Sequence, residues 1–294
     1  MNKLAVYASA VDECLKRIVD GSGYPDELKA VLDYSLFPGG KRLRPSLFLA
    51  WHEVTAAADE RAVLFASGIE LFHTFSLVHD DMPCLDNDDC RRGKPSVHKA
   101  FGEAKALLAG DALLNLAYTA MLEGAAGDGT LTLFVSKLFG DCGVISGQYD
   151  DVFNKCATVD DVMGIYKRKT AALIYASCVA GCVFPRLNKS EKYKETFELL
   201  HSTAAVLEGT TGDRTLNAAM KYGAAFGTAF QLYDDISECL DGDRPDSASV
   251  LDYLSLDEAK TMLASLTDDA ERDLSDIDGD TDVLKELARK FVIK

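Results

Sequence analysis

Acid and base alternate along one short stretch of this chain. Asp80 and Asp81 close an apolar run, Pro83 blocks simple continuation, and Asp86, Asp88 and Asp89 follow just ahead of Arg91 and Arg92. Carboxylates gathered at an inward-facing helix end repel one another strongly unless cations neutralise them. Oxygen donors with few carboxylates per ion suit Mg²⁺, which keeps waters and takes phosphate oxygens as its remaining ligands. The two arginines are suited to those phosphates, because a guanidinium fork matches their geometry. An isolated Asp-Asp pair would read as a solvated acidic loop, but carboxylates followed at once by paired arginines point to a metal-diphosphate site.

A second acidic group lies further on, where Asp234 and Glu238 are four apart and share a helix face with Gln231 one turn earlier. It is weak alone and gains force as the second carboxylate group to close an apolar helix. Cations recur at Lys41, Arg42 and Arg44, in a glycine-containing turn before a helix expected to begin near Pro45, and at Lys167, Arg168 and Lys169 before Thr170. The first of these clusters could hold a phosphate with its side chains and a helix amino terminus together.

The elements that must position these groups are helical. Apolar residues recur at helical spacing, as in Leu64, Ile69, Leu71, Phe72, Phe75 and Val78, and period-two strand segments are missing. Only seven prolines interrupt the pattern. Breaks at Gly21 to Pro25, Pro38 to Pro45, Pro83 to Pro95, Gly124 to Gly129, Pro185 to Ser190, Gly209 to Asp213 and Gly242 to Pro245 mark about ten helices. The aspartate-rich stretch from Asp268 to Asp282 fails as a calcium loop. With Gly279 as the loop glycine, Leu274 and Lys285 fall at the first and last ligand positions, so an acidic interhelical turn is expected.

With 294 residues, 48% of them hydrophobic, the chain can enclose a large core, and no linker or repeat divides it, so one domain over residues 1–294 is expected. The net charge of -16 argues against nucleic acid or an anionic membrane surface as a partner. Eight scattered cysteines show no zinc-site spacing. No uninterrupted apolar run reaches membrane-span length and the first residues make no secretory signal, so a cytoplasmic protein without stable membrane insertion is expected.

The order GGKRLRP, HDD-x4-D, RRGKP, GQ, KT and QxxDD resembles the trans-isoprenyl diphosphate synthases of the farnesyl and geranylgeranyl type. The match is dense from Gly39 to Tyr118, moderate from Gly147 to Ala176, strong from Gly227 to Ile236 and weak at both ends. The resemblance implies an all-α, single-domain bundle of ten or more helices around a deep central cavity, acting as a homodimer. It implies that Asp80, Asp86 and Asp234 ligate three Mg²⁺ ions, with Mn²⁺ as a substitute, and that Asp81, Asp235 and Glu238 support them. Arg91 and Lys169 would hold the allylic diphosphate, and Lys41, Arg44, His73 and Arg92 would hold isopentenyl diphosphate. Thr170, Gln231 and Gln148 would line the reacting region. Phe75, with Ser76, would set product length by forming a floor beneath the growing tail, implying mainly a fifteen-carbon product, with twenty carbons as the alternative because other residues also set the depth.

One departure from the family pattern stands out. The usual second motif ends in Asp and is followed by a longer loop bearing a Gly-Lys pair, whereas here Glu238 replaces the Asp and the loop is short. Asp246 and Ser247 occupy roughly the place of that lysine, with Arg244 the nearest cation. An inactive or regulatory subunit of a heteromeric synthase is therefore the rival reading. A terpene cyclase fits less well, because it needs no isopentenyl diphosphate pocket and its usual second metal motif is not met from Asp234 to Asp241.

Overall fold

The computed structural model describes residues 2–37, 40–187, 212–242, 248–275 and 277–291, and these are overwhelmingly helical. They fall into two compact units, one of Met1–Leu49 and Ala58–Thr132, the other of Ala50–Ala57 and Leu133–Lys294. The all-α expectation holds, and each unit is described in turn.

In the first unit, Lys3–Gly21 is capped by the Asn2 side chain and buries Tyr7, Val11, Cys14, Leu15 and Val19, a single stripe at helical spacing. Asp26–Leu36 follows Pro25 and opens with Asp26 and Glu27 at the positive end of its dipole. The next helix starts at Leu43, two residues earlier than expected, because Pro45 fits in a first turn whose N–H groups have no helical partner anyway. Glu60–Asp80, capped by Asp59, is long and apolar enough by length and composition to cross a membrane, yet 67% of that apolar stretch is buried within the protein. Its main neighbour is Glu103–Gly124. The two backbones approach through glycines: a Cβ on Gly68 would lie 2.7 Å from the Ala117 carbonyl oxygen, and one on Gly124 would lie 2.8 Å from that of Arg61. The only strands among the described residues, Cys90–Arg91 and Lys94–Pro95, form a small hairpin, too short to leave a period-two signal in the sequence.

In the second unit, Ala172–Val183 is buried along its whole length and runs antiparallel to the 28-residue helix Arg214–Asp241. Their contact also depends on glycine, since a Cβ on Gly223 would meet the Tyr175 Cα at 2.9 Å and one on Gly227 the Ala171 Cα at 2.7 Å. Between Val159–Ile165 and Ala172–Val183 the chain widens into a π-helical turn, Tyr166–Ala171, a feature concentrated at functional sites. Leu256–Arg272 starts from a capping box between Ser255 and Glu258 and runs on through Asp268 and Asp269. The acidic turn expected from Asp268 therefore begins only at Asp273, because the strong amino-terminal signal and an amphipathic pattern carry the helix past the first acids.

The helix contact in the first unit gives a direct test. Gly68→Ala adds about 1 kcal/mol of helix propensity, but the clash with a fixed carbonyl costs about 1–3 kcal/mol. We expect a net loss of up to about 2 kcal/mol in urea unfolding, and a stabilised variant would show that the two helices can separate freely.

Candidate functional site

The first carboxylate group is shaped by the backbone that follows its helix. Glu60–Asp80 stops at Asp80, and the chain then curls so that the Asp86 N–H donates to the Asp80 carbonyl at 3.0 Å. Asn87 completes the curl with a left-handed φ of 55° and donates its N–H to the Met82 carbonyl. Two aspartates six positions apart are thereby tied together, Asp80 half-buried and Asp86 exposed. Among the described residues no three His, Cys, Asp or Glu side chains converge into an all-protein metal cage. Mg²⁺ does not require one, since one or two carboxylates, waters and phosphate oxygens complete its shell. Asp80 and Asp86 fit that donor set for a metal that arrives with a phosphate-bearing ligand.

Asp81 turns the other way. It is 2% exposed and accepts from the Arg91 guanidinium, through Nε at 2.7 Å and through Nη2, while Nη2 also reaches Asp88 at 3.0 Å. Burial pushes its carboxyl up and the Arg91 guanidinium pulls it back. Asp81 therefore holds Arg91, the proposed diphosphate ligand, against the helix end.

Arg91 and Lys94 pair across the hairpin, whose turn residues Arg92 and Gly93 have φ of 54° and 77°. Two left-handed residues in a two-residue turn are the type I′ arrangement that matches strand twist. Arginine is an unusual choice there. The Arg92 guanidinium lies against Gly40, where a Cβ would come within 2.7 Å of Nη2. Lys94 is spoken for, donating to the carbonyls of Tyr34 at 2.5 Å and Phe37 at 2.8 Å and so fastening the hairpin to the end of Asp26–Leu36.

The other cations in this unit divide by burial. Arg42 is 2% exposed and fully engaged, with Asp12 at 2.7 Å, Glu70 at 2.8 Å and the Leu36 carbonyl at 2.7 Å. Lys41 beside it is exposed. Arg44 lies 3.1 Å from His73 Nε2. An arginine can only donate, so Nε2 accepts and the ring proton sits on Nδ1. Burial, then the charges of Arg44, Arg92, Arg42 and Arg91, hold His73 well below the ordinary histidine range, so it is neutral at pH 7. A neutral histidine among arginines leaves the cluster's positive charge for an anion. The Ser76 hydroxyl donates to the His73 carbonyl at 3.0 Å, and Phe75 packs edge-on against His79 at 4.9 Å and against Phe72 at 5.2 Å.

In the second unit the π turn presents Lys169 and Thr170. Gly147 lets Val144–Phe153 close onto it, since a Cβ there would fall 2.7 Å from the Lys169 Cα. Lys169 pairs with Asp151 at 2.5 Å and Arg168 with Asp150 at 2.7 Å. The neighbouring Gln148 has a buried amide, neither atom of which finds a hydrogen-bond partner among the described residues. A buried unmade amide bond costs about 1–3 kcal/mol, which favours a ligand or water there. Thr170 Oγ1 donates to Gln231 Oε1 at 2.7 Å, and Gln231 Nε2 donates to Asp235 at 2.9 Å. Asp234 and Glu238 follow on the same helix, half-buried and exposed respectively. Arg244, Asp246 and Ser247 lie outside the described residues.

Three residues at these sites escaped the sequence reading. Asp150 and Asp151 had no acidic cluster around them to draw notice, although Asp151 falls about one turn after the Gly147-Gln148 pair. Tyr166, whose hydroxyl donates to Asp235, looked like an ordinary core aromatic.

Residues 25–204 match the polyprenyl synthetase family. The farnesyl diphosphate synthase of Bacillus subtilis is 32% identical over 97% of this chain and 91% of its own length. The large subunit of a heterodimeric geranylgeranyl pyrophosphate synthase from Arabidopsis thaliana is 34% identical over 72% of this chain, which spans 54% of that protein. Among solved structures, an FPP/GFPP synthase from Zymomonas mobilis superposes with a TM-score of 0.80 at 28% identity, covering 99% of both chains. A geranyltransferase from Legionella pneumophila gives 0.81 at 26% identity, over 98% of this chain and 94% of its own.

The depressed His73 makes stability depend on pH in a defined direction. Below about pH 6.5 the unfolded chain binds a proton that the native ring refuses. Stability therefore falls as pH falls through and below that value. His73→Gln keeps an acceptor for Arg44 without the titration, so urea midpoints at pH 7.5 and 5.5 should differ less in the variant than in the wild type. Equal differences would mean that His73 titrates normally.

Proposed function

The chain belongs to the polyprenyl synthetase family, and from that premise we propose that it condenses an allylic diphosphate with isopentenyl diphosphate to make a short-chain trans-prenyl diphosphate, mainly the fifteen-carbon product. The observation that carries this reading is the arginine-rich cluster around a neutral His73 beside the tied aspartates Asp80 and Asp86. In a chain of net charge -16, such a cluster needs an anionic ligand to explain it.

In this reading Lys41, Arg44, His73 and Arg92 hold isopentenyl diphosphate, while Arg91 and Lys169 hold the diphosphate of the allylic substrate. Asp80, Asp86 and Asp234 are the oxygen donors for Mg²⁺, supported by Asp81, Asp235 and Glu238. The bound metal would neutralise charge that builds on the leaving diphosphate. Arg91 and Lys169 add fixed positive charge at the same leaving group, at no cost in reorganisation. As the allylic carbon-oxygen bond breaks, the Thr170 hydroxyl and the Gln231 and Gln148 amides present dipoles to the developing cation. The double bond of isopentenyl diphosphate then forms the new carbon-carbon bond, and the proton lost from it passes to the released diphosphate. Phe75, five residues before Asp80, lies more than a turn deeper on the helix and would stop the growing tail.

We read residues 1–294 as one polyprenyl synthetase domain, in keeping with the nearly full-length match to the Bacillus enzyme. We also propose a homodimer. Val144–Phe153 exposes Ile145, Tyr149, Val152 and Phe153 on one face, an apolar stripe suited to burial by a second copy. A cytoplasmic setting suits diphosphate substrates too charged to cross a bilayer unaided. The second reading is a subunit of a heteromeric synthase. It is favoured by the short loop that puts Asp246 and Ser247 where the family carries a lysine, and by the heterodimeric Arabidopsis relative.

Purified protein with Mg²⁺, dimethylallyl diphosphate and isopentenyl diphosphate should yield a fifteen-carbon diphosphate. Asp80→Ala and Asp86→Ala should each abolish turnover while leaving the unfolding midpoint near that of wild type, because each removes a carboxylate from a crowded cleft. Undiminished turnover in either would remove these residues from metal binding. Phe75→Ala should shift the product to twenty carbons or more, and an unchanged chain length would end its role as a floor. If wild-type protein forms product only when mixed with a second prenyl synthase subunit, the heteromeric reading replaces the homomeric one.

A further inference from the structure

Asp235 is a buried carboxylate of the second unit that accepts three hydrogen bonds, and its partners come from three separate stretches of chain. It is 2% exposed. Tyr166 Oη and Ser249 Oγ, the latter at 2.5 Å, both donate to Oδ2, while Gln231 Nε2 donates to Oδ1. The Tyr166 oxygen in turn accepts from the Val250 N–H at 3.1 Å, and the Ser249 oxygen from the Leu251 N–H at 3.2 Å. Each hydroxyl thus donates once and accepts once, which satisfies both groups and the carboxylate in a buried setting.

These bonds form a buckle. Tyr166 opens the π turn that carries Lys169 and Thr170, Gln231 and Asp235 lie on the helix that carries Asp234, and Ser249 and Val250 follow the short loop after it. The π turn and the helix run antiparallel, so Tyr166 meets Asp235 one turn from where Thr170 meets Gln231. Apolar packing sets the same register: Tyr166, Val250, Leu232 and Ile236 share one buried cluster. Pulling on Ser249 or Tyr166 therefore moves the Gln231 amide, and with it the Thr170 hydroxyl.

We propose that Tyr166 and Ser249 are positioning residues for the reaction, acting through Asp235 to hold the Gln231 amide and the Thr170 hydroxyl in one orientation and to tie down the segment beyond the loop. This rests on the function proposed above and deepens it. Asp235 serves here as the anchor of the buckle, its lone pairs being engaged by three donors inside the protein. Ser249 lies two residues beyond the place where the family carries its lysine, so this part of the chain contributes a hydrogen bond to Asp235.

The test compares wild type with Tyr166→Phe, Ser249→Ala, Ser249→Thr and the Tyr166→Phe/Ser249→Ala pair. Turnover, both KM values, and the ratio of allylic alcohol to condensed product would be measured with Mg²⁺, together with unfolding midpoints. Loss of one hydroxyl should lower kcat about tenfold, on the scale of a displaced reacting group, and raise the alcohol fraction as water captures a cation that is no longer met in register. KM for isopentenyl diphosphate should stay within about twofold. Ser249→Thr, which keeps the hydroxyl, should restore the wild-type ratio. A purely structural role would lower the unfolding midpoint and the active fraction while leaving KM values and the alcohol fraction unchanged, and that result would overturn the proposal. Binding of an allylic thiolodiphosphate with Mg²⁺, followed by calorimetry, separates the two readings if wild type makes no product: the functional reading then fails, whereas at least threefold weaker binding in both Tyr166→Phe and Ser249→Ala sustains the buckle and unchanged binding rejects it.

Discussion

A carboxylate taken out of water must find donors or lose its charge, and that requirement organises both aspartate-rich segments. Each contains two adjacent aspartates, one pair where Glu60–Asp80 ends and the other inside Arg214–Asp241, which runs on past it, and in each the second is buried. Asp81 accepts from Arg91, and Asp235 accepts from Tyr166, Ser249 and Gln231. The first of each pair, Asp80 or Asp234, keeps part of its surface in solvent. Helical geometry turns neighbouring residues by about 100°, so one side chain of an Asp-Asp pair can bolt the helix while the other faces a ligand. The doubling joins a structural duty to a chemical one.

The cations are governed by the same rule. Arg42 is committed to Asp12 and Glu70 and serves the core, whereas Lys169 and Arg168 rest on Asp151 and Asp150 beside the π turn and keep more of their own side chains in solvent than Arg42 does. An exposed ion pair is worth little, typically 0 to ~1 kcal/mol, so the more exposed pair, Arg168 with Asp150, is the one a more highly charged anion can displace at small cost. Burial therefore sorts the basic residues into those that hold the fold and those that can exchange partners. Adjacent letters, Lys41 and Arg42, fall on different sides of that line.

Much of this was legible in the residues alone. The helical class followed from apolar spacing, and the ordered motifs named the family before any geometry was known. The limits were physical. The hairpin at Cys90–Pro95 rests on two left-handed residues, Arg92 and Gly93, and no propensity marks an arginine for that conformation. The roles of Tyr166, Asp150 and Asp151 depend on contacts across 18 or 69 positions, which local periodicity does not carry. The late end of Leu256–Arg272 shows a capping box and an amphipathic face outweighing the turn-forming tendency of aspartate.

The left-handed Arg92 also bears on how this protein can change. A non-glycine residue in that region carries strain of about 1–3 kcal/mol when it is a functional outlier, and asparagine or glycine would relieve it. Selection for thermal robustness alone would therefore favour replacing Arg92, discarding a guanidinium from the anion cluster in the process. The position is a stability–activity trade-off written into one dihedral angle. A stability-guided redesign that ignores ligand chemistry would replace it and register the change as an improvement.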